Sequence, residues 1–253
     1  MRETNRRRKH ERLILSVQAR YPKALHDQRQ FFDELITEEW ETYKSDAWDY
    51  TRRFEVAKLF RRERPARVLD VGCGCGFHDV VMAEYDFVER VDAIDYSAKS
   101  TEKADEAYPH SKFSRRVADL ASDTPDPEHD MVVSFQVFEH LDDPDVYMRY
   151  CLAARKPGGV IAIVTPNRLR FDNRIRSFRN EPLALIDPQH FHEYTVKEIA
   201  AIGARHQLQV IDSFGHTMQS LIYPKLTPKP YQRATEYGSR LSFLANVIGV
   251  LLR

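Results

Sequence analysis

The run "RVLDVGCGCGFHDVVMAE", residues 67–84, sets Cys73 and Cys75 one residue apart among Gly72, Gly74 and Gly76. Two chemistries use such residues. A thiol pair can ligate metal or cycle in redox, and a glycine-rich turn can bring backbone N–H groups against a ligand. The thiol reading lacks partners, because no second C-x-C, C-x-x-C or paired-histidine motif stands beside it and two ligands do not close a tetrahedral site. The cysteines therefore read as small spacers between working glycines, and no metal is assigned. The dinucleotide pattern G-x-G-x-x-G fails at Phe77, where its third glycine would fall, and no G-K-[ST] follows to cradle phosphates. What remains is a Gly-x-Gly-x-Gly turn for a nucleoside ligand without a pyrophosphate. Asp95 ends the next β-rich run, where a carboxylate can accept from both hydroxyls of a ribose; otherwise it is a strand-end acid capping the following helix.

A second set of groups suits proton transfer. Glu139 and His140 lie in "FEHL", and "DPQHFHEYT" (187–195) holds His190, His192, Glu193 and Tyr194. An imidazole can take a proton from a hydroxyl when it lies within hydrogen-bond reach, and each of these histidines also has a structural reading as a backbone anchor. Between the clusters, "NRLRFDNRIRSFRNE" carries Arg168, Arg170, Arg174, Arg176 and Arg179. Arginines in that number either bind phosphate or carboxylate bidentately or form a solvated helix face.

These groups need a frame to hold them. With 253 residues and 42% hydrophobic content the chain can bury a full core as one domain with elaborations. Its 38 Lys plus Arg balance 38 Asp plus Glu, so no global field favours nucleic acid or an anionic membrane. The basic start "MRETNRRRKHERLILS" is followed by no apolar run of signal-peptide length, which makes a cytoplasmic protein the default. Three cysteines are too few for a disulfide scaffold.

Residues 1–64 read as helices, with Tyr50, Phe54, Ala57 and Phe60 at helical spacing. From residue 67 short β-rich runs alternate with amphipathic stretches: "RVLDVG", "RVDAID", "FSRRVAD", "DMVVSF" and "GVIAIVT". That alternation predicts parallel strands joined by crossover helices. Asp143 and Pro144 start a helix that buries Cys151 and that "KPGG" (156–159) should stop, while Thr195 and Glu198 form a capping box ahead of Ile199 and Ile202. "LQVIDSF" (208–214) reads as a sixth strand. The final run "NVIGVLL" (246–252) is too short to span a bilayer and reads as a strand, with an interfacial membrane helix as the alternative.

Over roughly residues 50–217 the sequence resembles the class I S-adenosylmethionine-dependent methyltransferases. "LDVGCGCG" looks like that family's glycine motif, "AIDYS" its ribose acid, "VADL" its adenine turn, "DMVVSFQVFEHLDDP" its fourth strand and following loop, and "RKPGGVIAIVTPN" its fifth-strand motif. The resemblance implies a Rossmann-like α/β fold: a seven-stranded, mostly parallel sheet with an antiparallel last strand and helices on both faces. It also implies S-adenosyl-L-methionine as cofactor. Asp70, Gly72, Gly74 and Gly76 would line its methionine end, Asp95 its ribose, and Tyr96 would flank the adenine. Asp119 and Leu120 would meet the adenine amino edge, and Phe135 and Gln136 would close the methionine side.

The "FEHL" segment resembles the ubiquinone-pathway O-methyltransferases, where an acidic residue and then "EH" can serve a divalent cation. Gln136 replaces that acid here. The expected reaction is O-methylation of a small-molecule, sugar or lipid-linked acceptor, with His140, Glu139, His190 and His192 as catalytic candidates. Residues 1–64 would form a helical lid segment ahead of a methyltransferase domain (65–253), with an acceptor loop inserted around 166–194. Tyr43 and Trp48 would contact substrate. An RNA methyltransferase and a non-catalytic cofactor-binding partner are the alternatives; "SFQV" lacks the N-P-P-Y/F pattern usual for base N-methylation, so nucleic acid is not favoured.

Overall fold

The computed structural model describes residues 28–34, 44–187, 189–220 and 222–253. Seven strands form one sheet: β1 (Arg67–Val71), β2 (Arg90–Asp95), β3 (Phe113–Val117), β4 (His129–Phe135), β5 (Arg155–Pro166), β6 (Val210–His216) and β7 (Val247–Leu252). Their spatial order is β3-β2-β1-β4-β5-β7-β6. β1 pairs in parallel with β2 and β4, and β7 runs antiparallel to both β5 and β6. The strand order reverses between β1 and β4. Carboxyl ends of strands converge there, and open α/β sheets bind ligands at such a point.

The central strands carry near-continuous Val, Ile, Leu and Ala because helices cover both faces. On one face α1 (Asp46–Glu63) and α2 (Phe77–Ala83) bury Val56, Leu59, Phe60, Val81 and Met82 against Val68, Met131 and Val133. On the other, α4 (Pro144–Ala154) and α6 (Val196–Arg205) bury Tyr147, Cys151, Ile199 and Ile202 against Leu69, Val132 and Ile161. α3 (Ala98–Ala107) is capped by Ser97, whose side chain accepts from the Ser100 N–H, and it buries Ala104. Each large aliphatic buried this way contributes roughly 1.5–3 kcal/mol relative to exposure. Asp143 caps α4 with Pro144 in its first turn, and Thr195 and Glu198 close the expected capping box on α6.

Two expectations shift. In α1 the buried stripe runs through Thr51, Arg52, Glu55, Val56, Leu59 and Phe60, not through Tyr50, Phe54 and Ala57. Two charged residues take core positions because Glu55 finds partners inside, as described below. α4 ends at Ala154, just ahead of "KPGG", but that segment belongs to β5 and not to a turn: the ladder with β4 shifts register between the His129–Arg155 and Met131–Val160 pairs, with Gly158 at φ 78°. The final run is the strand expected and not its interfacial-helix alternative: Ile248, Val250, Leu251 and Leu252 are buried between β5 and β6. Its Gly249 is needed there, since a Cβ would fall 2.3 Å from the Phe214 ring on β6. Two further helices, α5 (Phe171–Phe178) and α7 (Tyr231–Arg240), belong to the segments inserted after β5 and β6. Among the described residues no helix is long and apolar enough to cross a membrane.

Candidate active site

The turn after β1 is held by backbone. Gly72 and Cys73 both donate to the Ile94 carbonyl of β2, at 2.7 and 3.0 Å, and Gly76 donates to the Cys73 carbonyl at 2.9 Å. Gly72, Gly74 and Gly76 all have positive φ (78°, 54° and 72°), a region open to glycine at little cost. At Gly72 a Cβ would also lie 2.4 Å from Val137, so the loop after β4 closes on the glycine itself. At Gly74 a Cβ would meet nothing within 4 Å. That open backbone is the approach a ligand requires. Cys73 and Cys75 are free and buried, and burial drives both thiols away from ionisation, Cys75 up to about 12. They act as spacers, with neither exposure nor thiolate character.

Beneath the turn lies a pair of buried carboxylates. Asp70, at 1% exposure, has its Oδ1 buried without a partner, and Asp79 of α2 accepts from Arg115 Nε of β3 at 2.9 Å. Burial and then the charge of Asp79 push Asp70 well above the carboxylate range, and burial raises Asp79 too, so the pair favours sharing a proton. Asp95 accepts from the Gly74 N–H through Oδ2 and from the Ser97 N–H through Oδ1, each at 2.8 Å. Each oxygen keeps a second lone pair for a hydroxyl donor. Tyr96 is 43% exposed, with the Arg29 guanidinium 4.2 Å from its ring centroid. Asp119 is exposed and uses Oδ1 to close a turn onto the Ala121 N–H at 2.9 Å, beside a half-buried Leu120. The unpartnered Asp70 oxygen, the open face of Gly74 and the Asp95 carboxylate suit the cationic methionine end and ribose of S-adenosylmethionine.

Phe135 and Gln136 end β4 differently. Phe135 turns its ring into the core and stacks on His78 at 3.6 Å between centroids. Gln136 sits at φ 58° and donates its N–H to Val164 at 2.8 Å, a left-handed conformation that is uncommon outside glycine and asparagine. That turn sends the chain into the short 3₁₀ segment Phe138–His140.

There the acid–base candidates meet. Glu139 is fully buried, accepts from the Thr165 hydroxyl at 2.8 Å through Oε2, and leaves Oε1 without a partner. Its carbonyl accepts from the Phe191 N–H at 2.9 Å, which pins the loop carrying His190 against the end of β4. The His140 and His190 rings lie 4.8 Å apart, edge to face. His190 Nδ1 lies 3.1 Å from Glu193 Oε1, and Glu193 Oε2 in turn accepts from the buried Arg170 guanidinium. Burial pushes Glu139 up to about 7 and His140 down to about 3. Burial also acts to lower His190, but the hydrogen bond with Glu193 and the nearby charge of Glu139 outweigh it and raise its pKa above 6.5.

Of the four candidates, three converge: one donor atom each from Glu139, His140 and His190 lie within 4.8 Å of one another. A two-nitrogen, one-carboxylate set suits zinc, manganese or iron better than magnesium, which prefers near-octahedral oxygen. His192 is elsewhere. It lies 3.3 Å from Glu198 Oε1 at the capping box of α6, its ring 4.6 Å from Tyr194. Trp48 packs near Tyr231 of α7, 6.3 Å between rings, and Tyr43 lies outside the described residues.

A methyltransferase-domain model matches residues 40–213. The chain belongs to the S-adenosylmethionine-dependent methyltransferase family. It is 33% identical over 167 residues to a probable S-adenosylmethionine-dependent methyltransferase of Mycolicibacterium smegmatis, covering 65% of this chain and 61% of that one. To a ubiquinone biosynthesis O-methyltransferase of Xanthomonas campestris it is 31% identical over 159 residues, covering 59% and 65% respectively. The chain thus spans less than two thirds of the length of either relative. Its fold matches a magnesium protoporphyrin IX methyltransferase of Synechocystis solved with SAH, with TM-score 0.61, 12% identity and coverage of 88% and 96%. The DhpI–SAM–HEP complex aligns at TM-score 0.63 and 14% identity over 90% and 96% of the two chains. At such identities these structures show the fold alone.

Several residues of this candidate site escape sequence reading. Asp79, Arg115 and the Arg170 anchor of Glu193 work only as partners across elements. Glu55 of α1 lies 2.8 Å from His78 Nε2 and 2.9 Å from His216 Nε2; burial acts to raise its carboxyl, but the two imidazoles, His216 first, hold it at about 2, while burial lowers His78. The segment 28–34 reaches both ends of the crevice. Arg29 lies on Tyr96, Asp33 accepts from Ser97, and the Phe32 ring stands 5.2 Å from that of His140.

Proposed function

We propose that the chain O-methylates a small-molecule, sugar or lipid-linked acceptor, with His190 as the base. The observation that carries this reading is the Arg170–Glu193–His190 chain ending beside His140 at the carboxyl edge of the sheet. The bound cofactor supplies an activated methyl on a sulfonium, which leaves as a neutral thioether. The protein's own part is positioning and proton removal. Asp70, Asp95 and the glycine turn hold the donor in one orientation, worth much of the barrier in a displacement between two bound reactants. His190 would take the acceptor's hydroxyl proton as that oxygen accepts the methyl from the cofactor's sulfonium. Glu193 holds the imidazole in one tautomer and stabilises it once protonated, and Arg170 keeps that carboxylate charged. His140, held neutral by burial, walls the acceptor side together with Phe32 of a short lid over residues 28–34.

The likeness to ubiquinone biosynthesis O-methyltransferases supports oxygen as the methylated atom. The reading is tested by incubating the chain with S-adenosylmethionine and phenolic, sugar and lipid-linked acceptors and detecting a mass gain of one CH₂. The gain should fall on a hydroxyl and be lost in His190→Ala. Methylation of a base nitrogen in RNA, or full turnover by His190→Ala, would overturn it.

A further inference from the structure

Six large apolar side chains stand in solvent on the segments inserted after β5 and β6: Phe178 (90% exposed), Leu185, Ile186, Ile222, Leu226 (64%) and Phe243 (57%). They are gathered around α5. Arg174 donates to the Phe243 carbonyl at 3.1 Å, the Arg179 guanidinium lies 5.7 Å from the Tyr223 ring, and the Ala184 N–H donates to Asn173 at 3.0 Å. The helix is therefore the spine of one surface, with 184–186 on one side and 222–226 and 243 on the other. Apolar area of this kind on a folded chain marks a contact that burial in the core has not supplied.

The charges around it select the occupant. Arg174 donates to the Leu169 and Phe243 carbonyls with its guanidinium 5.5 Å from the Phe243 ring centroid, and Arg176 pairs with Glu181 at 3.7 Å; among the described residues neither Arg174, Arg179 nor Lys225 meets a carboxylate within ion-pair distance. A second copy pairing through the same patch would set these cations against themselves. RNA would neutralise the arginines but leave the phenylalanines and leucines in water. A bilayer rich in anionic headgroups satisfies both, because apolar side chains enter the acyl boundary while Arg and Lys meet the phosphates.

We propose that this face docks the protein on an anionic lipid surface. The face adjoins the acceptor side of the site: the Ile186 N–H donates to Glu193 Oε1 at 2.5 Å, the same oxygen that faces His190. A docked protein would thus hold its acceptor entrance near the headgroups, which deepens the lipid-linked reading above and rests on it for its purpose only. Binding itself is measured without acceptor or turnover, so the two can fail separately.

The test is cosedimentation of the full chain with phosphatidylcholine vesicles and with vesicles carrying phosphatidylglycerol, at low and physiological salt. The chain should pellet with the anionic vesicles at least about tenfold more than with the neutral ones, and added salt should weaken this. Phe178→Ser with Phe243→Ser should reduce binding by a similar factor while S-adenosylmethionine affinity and thermal midpoint hold. Arg179→Glu, which removes no core contact, should act alike. Equal partition onto both vesicles, or none onto either, would overturn the proposal. So would a concentration-dependent dimer abolished by Phe178→Ser, or retention on RNA with no vesicle binding.

Discussion

The imidazole of His190 and the carboxylate of Glu193 face each other at 3.1 Å, with Arg170 behind the carboxylate and His140 in front of the ring. This pairing raises the His190 pKa while His140, a few ångströms away, is pushed down to about 3. The acid limb of a pH–rate profile should therefore belong to His190. Rate should rise as pH climbs through a value above 6.5, where the base loses its proton, and Glu193→Gln should move that limb downward. His190→Ala should lower kcat by about 10²–10⁴, the range for a lost general base. His140→Ala should leave the limb in place.

Asp95→Ala should weaken S-adenosylmethionine binding by about 1–3 kcal/mol, from loss of charge-assisted hydrogen bonds. Calorimetry gives the answer directly. An unchanged affinity would remove Asp95 from the ribose site.

Gly72→Ala and Gly74→Ala separate fold from ligand. The first sets a methyl 2.4 Å from Val137 and should lower the thermal midpoint as well as binding, whereas the second meets no neighbour within 4 Å. Gly74→Ala should cost about 1–2 kcal/mol of backbone strain yet lose most cofactor affinity, because the methyl enters the ligand's approach. Cys73→Ala with Cys75→Ala should leave binding nearly intact.

Glu139 makes stability depend on pH. Its carboxyl titrates near 7 folded against 4.5 ordinarily, so the folded state holds a proton that the unfolded chain has released across that window. Stability should fall as pH rises from about 4.5 to 7, and Glu139→Gln should remove about 1–3 kcal/mol of that fall, read by urea titrations at several pH values. If a divalent ion binds the Glu139–His140–His190 donors, the wild type should instead gain stability with zinc or manganese, and EDTA should reverse the gain.

Glu55 has the opposite sign. Held at about 2 by its two histidines, it contributes stability above the ordinary carboxylate pKa that is lost as pH falls from about 4.5 toward 2. Glu55→Gln should flatten the acid side of the stability curve, read by urea titrations below about pH 5.

The sequence by itself determined the sheet and the glycine turn. Strands from "RVLDVG" to "NVIGVLL", the caps at Asp143 and Thr195, and the glycine turn after β1 follow from neighbours within a few residues, where hydrophobic period and turn chemistry act. The buried stripe of α1 was not legible, because Arg52 and Glu55 occupy core positions that only distant partners make tolerable. The Glu139–His140–His190 cluster was half legible. "FEHL" and "DPQHFHEYT" show four candidates, but which of them meet depends on the Glu139 carbonyl catching the Phe191 N–H and on Arg170 reaching Glu193. Tertiary structure alone decided that His190 is charged more readily than His140, since a pKa is set by burial and by charges that folding brings close, and sequence spacing measures neither.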